Sequence, residues 1–138
     1  MLFYSGQSRS SSEVEASKQA RLSDNGPTLK DQLALVEPGI RCLTTGDMEG
    51  LGQVLTRSWE LKKRLSPDVT NGYLDHAWSE AMKAGALGGK LLGAGAGGAL
   101  LFVVPPDRHL GVKASLHDLL HIPFKFESQG SQLIYYRP

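Results

Sequence analysis

Apolar positions along the chain alternate between strand-like and helix-like spacing, and the changes outline its elements. Leu2-Phe3-Tyr4 predicts a short strand, followed by a serine-rich turn in which Ser10, Ser11 or Ser12 caps a polar helix running to about Leu22. Asp24-Asn25-Gly26-Pro27 predicts a loop, and Thr28 with Asp31 an N-cap. Leu29, Leu33, Val36, Ile40 and Leu43 then recur at intervals of three and four, giving one apolar helix face, with Pro38 kinking it or starting a new segment. Gly46 ends that helix. Asp47 caps the next, which turns Leu51, Val54, Leu55, Leu61 and Leu65 mostly inward until Pro67 breaks it. A further helix from about Asn71 to Lys83 packs Leu74, Trp78 and Met82 and stops at Gly85. Strands are predicted at Lys90 to Leu92, Ala99 to Val104, Ile122 to Glu127 and Gln132 to Tyr136, with a helix from Asp107 to Leu120. This order predicts an α+β fold over residues 1–138, a ferredoxin-like antiparallel sheet with helices packed on one face.

The densest signal is glycine. Seven of the fourteen residues from Gly85 to Gly98 are glycine, interleaved with leucine, alanine and Lys90. Gly93, Gly95 and Gly98 match G-x-G-x-x-G, but a dinucleotide fingerprint opens a helix, whereas Ala99 to Val104 is an apolar run stopped by Pro105-Pro106. A Walker A loop needs a glycine separated by four residues from Gly89-Lys90 and a hydroxyl after it; Ala84 and Leu91 stand there. A membrane span from Gly85 to Val104 is excluded by Lys90 and by the short uncharged stretch beyond it. What remains is strand, glycine turn, strand. Successive amides in such a turn point one way and form a concavity for an anion; the alternative is a hairpin whose glycines only allow tight packing.

Gly85-Ala86-Leu87-Gly88-Gly89-Lys90-Leu91-Leu92-Gly93-Ala94-Gly95-Ala96-Gly97-Gly98 resembles the third, C-terminal motif of the GHMP kinases, the family of galactokinase, homoserine kinase and mevalonate kinase. The resemblance is closest to the sugar-kinase branch that includes D-glycero-D-manno-heptose 7-phosphate kinase. Phe3-Tyr4-Ser5-Gly6-Gln7-Ser8-Arg9-Ser10-Ser11, Trp59-Glu60-Leu61-Lys62-Lys63-Arg64-Leu65-Ser66 and Pro123-Phe124-Lys125-Phe126-Glu127 with Gly130-Ser131 point the same way, in the family's order. Ala96 and Ala99 depart from it, where the branch has Gly and a larger apolar residue. The family's N-terminal ATP loop, Pro-x-x-x-Gly-Leu-Gly-Ser-Ser, and its acidic residue on the acceptor hydroxyl have no match here. The resemblance therefore implies a C-terminal domain without its N-terminal ATP-binding half. It implies ATP and magnesium in the full-length enzyme and neither bound to this chain alone. It also implies a sugar phosphate as small-molecule partner, and self-association through the apolar face left without its other half. The alternative is a free-standing ferredoxin-like module that binds a small anion or a protein and catalyses nothing.

Charge and composition narrow the partners. Fifteen basic residues against fourteen acidic ones make no case for nucleic acid or an anionic membrane. The single cysteine, Cys42, excludes an internal disulfide and suits a reducing cytoplasm. The substrate-binding candidates are Ser8, Arg9 and Lys62; the cofactor-binding candidates are Lys90, Gly93, Gly95, Gly97 and Gly98. Arg9 offers a phosphate a fork of charge-assisted donors, or is a solvated loop arginine. Lys62, Lys63 and Arg64 crowd a helix C-terminus, where the dipole alone favours cations. Lys90 reaches toward a phosphate or points to solvent. Trp59 is expected to pack. His117 and His121 are four apart without the H-E-x-x-H pattern, so no metal ligand is assigned, and no catalytic residue is assigned.

Overall fold

The computed structural model describes residues 1–7, 11–135 and 137, apart from the side chains of Ser11 and Glu13. Four antiparallel strands, β1 (Leu2–Tyr4), β2 (Gly88–Leu91), β3 (Ala99–Val103) and β4 (Leu120–Ile122), form one sheet in the order β2-β3-β1-β4. Between β1 and β2 run α1 (Ser11–Gln19), α2 (Leu22–Leu33), α3 (Val36–Thr45), α4 (Met48–Leu65) and α5 (Gly72–Lys83), and α6 (His109–Ser115) joins β3 to β4. Both crossovers skip one strand, which is the split βαβ arrangement of the ferredoxin-like fold.

Side-chain alternation decides which face of the sheet is covered. Phe3 pairs with Leu100, Leu91 pairs with Leu100, and Phe102 lies two residues on, so all four point to the same side. Each is at most 1% exposed, and they pack with Trp59 of α4, Leu74, Ala77 and Ala81 of α5, and Val112 of α6. Fully burying a side chain of this size contributes about 1.5–3 kcal/mol, so this cluster dominates the fold's stability. On the opposite face Tyr4, paired with Leu120, is 37% exposed.

Local chemistry sets several element ends as expected. The Asp47 carboxylate accepts from the Gly50 amide at 2.8 Å, Asn71 Oδ1 accepts from the Leu74 amide at 3.0 Å, and Gly46 closes α3 in the left-handed region. Pro38 sits in the first turn of α3, so it begins a segment rather than kinking one.

Other expectations are corrected. Asp24-Asn25-Gly26-Pro27 is not a loop but part of α2, because buried Asn25 donates from Nδ2 to the Leu65 carbonyl at 3.0 Å and ties this stretch to the end of α4. Thr28 and Asp31 therefore lie inside a helix and cap nothing. Residues 123–127 and 132–135 are not strands: β4 comes earlier, at Leu120–Ile122, and pairs with β1 alone. The helix expected over 107–120 shortens to α6, preceded by a 3-10 turn at Pro106–Arg108.

The edge strand β2 is closed by side chains. Trp78 Nε1 of α5 donates to the Gly89 carbonyl at 3.2 Å, and Lys62 Nζ of α4 donates to the Leu91 carbonyl at 3.2 Å. These are carbonyls that an uncovered edge would offer to another strand. α4 approaches β2 closely because glycine faces glycine: a Cβ on Gly88 would lie 1.9 Å from the Gly52 carbonyl oxygen, and one on Gly52 would lie 2.6 Å from that of Leu87.

Candidate functional site

The glycine run becomes the turn between β2 and β3. Gly93, Gly95 and Gly98 have φ of 81°, 131° and 102°, and Ala96, without glycine's freedom, has φ 61°. Gly95 needs glycine twice, since a Cβ there would also lie 2.9 Å from Val69 Cα and O. The turn is anchored at defined points. Ala96 donates its amide to the Val69 carbonyl at 2.8 Å, Gly98 donates to the Gln7 carbonyl at 3.1 Å, and Ser5 donates to the Gly98 carbonyl at 2.9 Å. Among the described residues, no acceptor faces the amides of Gly93, Ala94, Gly95 and Gly97.

Of the turn glycines expected to lack an acceptor, Gly93, Gly95 and Gly97 have none among the described residues, Gly95 being buried, whereas Gly98 and its neighbour Ala96 donate to adjoining segments. Ala96 in the left-handed region costs about 1–2 kcal/mol relative to glycine. Ala96→Gly is expected to leave stability within about 1 kcal/mol of the unaltered chain, because the relief is offset by the greater freedom of the unfolded chain and by the loss of a buried core methyl. Chemical denaturation of both proteins measures the difference.

What underlies the turn was not legible as a site. Ser66, 1% exposed, accepts from the Asp68 amide at 3.0 Å, and Ser17 of α1 reaches Ser66 Oγ at 2.8 Å and donates to Asp68 Oδ2 at 2.7 Å. This knot fixes the 3-10 turn Pro67–Val69, and Val69 supports Gly95 and Ala96. Asn71 Nδ2 donates to Gln7 Oε1 at 2.9 Å and ties the start of α5 to the segment that holds Gly98. The Ser66-Pro67-Asp68 triplet is readable as a turn, but nothing in it announces the glycine run as its neighbour in space.

Lysines line the same region. Lys62 Nζ donates to the carbonyls of Leu91 and Gly93, so it grips the entry to the turn. Lys90 Nζ donates to Ser58 Oγ of α4 at 2.9 Å. Burial pushes the Lys62 ammonium down to about 8, the Lys90 and Lys18 charges add to this, and Glu15 opposes it. Burial also lowers Lys90. Because the folded pKa of Lys62 lies below that of a free lysine, the unfolded chain binds more protons between about pH 8 and 10.5. The Lys62 charge therefore costs stability in full below pH 8, and that cost disappears as pH rises through this window. An anion beside these lysines would favour their charged forms.

The remaining candidates fall elsewhere. Ser8 and Arg9 lie outside the described residues. Trp59 is buried, as expected, with the Lys63 ammonium 5.6 Å from its ring centre. The His121 ring packs tilted against Phe3, with centres 5.2 Å apart, and His117 is exposed after α6; among the described residues no group of three His, Cys, Asp or Glu side chains is placed to hold a metal. A cleft of about 550 Å³ between α3 and α4, lined by Leu35, Cys42, Val54, Arg41 and Arg57 among others, shares no residue with the turn. No helix among the described residues is long and apolar enough to cross a membrane.

Comparison with known proteins places this geometry. The GHMP kinases C terminal family matches residues 39–118, which include α4, α5 and the whole glycine turn. The chain belongs to this family. The D-glycero-alpha-D-manno-heptose 7-phosphate kinase of Campylobacter jejuni is 32% identical over 135 residues, 94% of this chain and 40% of that protein. The galactokinase of Mycobacterium bovis is 39% identical over 66 residues, 48% of this chain and 18% of that enzyme. This GHMP kinase domain thus spans well under half the length of either relative. Among solved structures, Leishmania major mevalonate kinase in complex with R-mevalonate superposes with a TM-score of 0.72 at 23% identity, over 85% of this chain and 37% of that one. The Lin0012 protein of Listeria innocua superposes at 0.78 and 16% identity, over 90% and 38%. Both share the fold.

Proposed function

We propose that this GHMP kinase domain is the C-terminal part of an ATP-dependent sugar or sugar-phosphate kinase, supplying part of the acceptor site and bracing the ATP phosphate loop of an N-terminal half. The observation that carries this reading is the turn at Gly93 to Gly98, with the amides of Gly93, Ala94 and Gly97 unpartnered among the described residues and not buried, and with Lys62 gripping its entry. Outward amides and a nearby ammonium bind phosphate oxygens without any covalent chemistry, and phosphoryl transfer depends chiefly on such positioning and charge stabilisation. The heptose 7-phosphate kinase relative favours a phosphorylated sugar as acceptor. Ser8 and Arg9 are assigned to that acceptor together with Lys62, whose third N–H is not used by the Leu91 and Gly93 carbonyls. Lys90, Gly93, Gly95, Gly97 and Gly98 are assigned to the nucleotide side.

ATP supplies the transferred phosphoryl group, and the unpartnered amides of Gly93, Ala94 and Gly97 fit its phosphates. Magnesium does not find a cluster of carboxylates among the described residues, so no step is assigned to this chain through that ion. The chain alone is expected to show no turnover of ATP with any sugar phosphate. Joined to the ATP-binding half of a GHMP sugar kinase it is expected to phosphorylate the sugar, as followed by a coupled ADP assay. Turnover by the chain alone, in a preparation free of other kinases, would overturn the assignment of the missing half, and a joined protein that folds but never transfers phosphate would overturn the function.

A further inference from the structure

A cavity of about 340 Å³ lies between α6 and the end of β4, lined by His109, Lys113, His121, Phe124 and Phe126 among others. It shares no residue with the glycine turn and sits at the other end of β1: Met1, which lines it, donates its amino group to the Phe102 carbonyl at 2.7 Å, whereas Ser5 and Gln7 at the far end hold Gly98. Its volume is that of a site for a small organic molecule, about 300–1,000 Å³. Its lining is one-sided in charge. Every residue around it is basic or apolar, and neither Asp nor Glu borders it. Among the described residues Lys113 has no ion-pair partner, and the ring nitrogens of His121 have no hydrogen-bond partner.

The fold brings these groups together from two elements. His109 and Lys113 stand four apart on α6, so they share one helix face. His121 pairs with Phe3 across β4 and β1, which turns its ring to the helix-covered side of the sheet. His109 Nε2 donates to the Val104 carbonyl at 3.1 Å, which fixes the ring and leaves Nδ1 free to donate once the imidazole is protonated. Burial lowers the His121 pKa, and the charges of Lys113, the Met1 amino group and His109 lower it further, with no acidic neighbour opposing them. An oxyanion in the cavity would reverse that repulsion. Beside these cations Phe124 and Phe126 meet edge to face with ring centres 5.7 Å apart, forming an aromatic wall that is itself exposed.

We propose that this cavity is a second ligand site, taking a small aromatic oxyanion whose charged group lies among His109, Lys113 and His121 and whose ring packs on Phe124 and Phe126. The charge pattern selects the anion, because a neutral ligand would leave three basic groups without a counter-charge. The aromatic wall selects the ring, since offset and edge-to-face contacts with aromatic side chains add to simple burial. The proposal stands apart from the kinase reading, because none of these residues belongs to the turn.

Titration of the isotope-labelled chain with benzoate, followed through the His109, His121 and Phe124 ring resonances, tests it. Saturable shifts are expected at all three, with acetate and benzyl alcohol each binding at least about fivefold more weakly because one lacks the ring and the other the charge. Benzoate affinity is expected to fall by about fivefold or more between about pH 5.5 and about pH 8, as the imidazoles lose their protons while benzoate stays charged. Lys113→Ala is expected to weaken binding by about fivefold, with circular dichroism unchanged because the side chain is exposed. Lys30→Ala removes the same charge from α2 and is expected to change it less than about twofold. A chain lengthened by a few residues before Met1, which carries the amino group away, is expected to bind as well. Rings that stay unmoved by benzoate would overturn the proposal. So would acetate or benzyl alcohol binding as tightly as benzoate, affinity indifferent to Lys113→Ala or to pH, or binding lost in the lengthened chain.

Discussion

Gly88→Ala is expected to be the most damaging single substitution in the molecule, lowering stability by about 3 kcal/mol or more and leaving little folded protein at 37 °C. The added methyl would meet the Gly52 carbonyl oxygen at 1.9 Å, its carbon at 2.3 Å and Thr56 Oγ1 at 2.6 Å. Two of those three atoms are backbone, so no side-chain rotation relieves the contact. α4 would have to move away from β2, exposing Trp59 and breaking the Lys62 and Trp78 hydrogen bonds that close the sheet edge. Gly72→Ala is the control, because a Cβ there meets nothing within 4 Å and the change should be neutral or slightly stabilising. Thermal and urea unfolding of the two variants should therefore differ by several kcal/mol, and a Gly88→Ala protein as stable as the unaltered chain would refute the close helix-to-strand contact.

A second large effect is expected at the turn. Gly95→Val places a β-branched residue at φ 131° with its Cβ 2.9 Å from the Val69 backbone and 3.3 Å from Val14 Cγ1. The strain is expected to cost about 1–3 kcal/mol, and in a full-length kinase the displaced turn is expected to lower turnover more than the stability loss explains. Unfolding of this chain gives the first quantity. Turnover of the joined kinase, corrected for the folded fraction, gives the second.

Much of the fold was legible because short-range rules and long-range packing agree there. Phe3, Leu100 and Phe102 alternate in strands and end up on one face; Asp47, Asn71 and Gly46 carry capping chemistry that packing does not contradict. The sequence reading went wrong where a distant partner overrides local preference. Gly26-Pro27 reads as a break, yet Asn25 reaches the Leu65 carbonyl, 40 residues away, and the helix continues. The apolar Leu33 to Leu43 face is present but exposed, since periodicity reveals an apolar side without saying what covers it.

The site was readable in the same uneven way. Glycine density pointed to the turn, and the positive φ at Gly93, Gly95 and Gly98 bears out a shaped backbone. The lysines were visible as charges, but that Lys62 grips two carbonyls and Lys90 meets Ser58 depends on α4 lying beside β2. The hydroxyl and carboxylate knot of Ser17, Ser66 and Asp68 joins segments about fifty residues apart, and no local pattern contains it.

The central claim is that this turn is an anion-facing part of a kinase site, and the most direct test is a titration with ATP of the isotope-labelled chain joined to an ATP-binding half, followed by amide and lysine side-chain resonances. The account predicts saturable shifts at Gly93, Ala94 and Gly97, accompanied by a rise in the pKa of Lys62 from about 8 as its ammonium gains an anionic neighbour. Resonances of the turn and of Lys62 that stay unmoved at saturating ATP, or shifts confined to other parts of the surface, would contradict it.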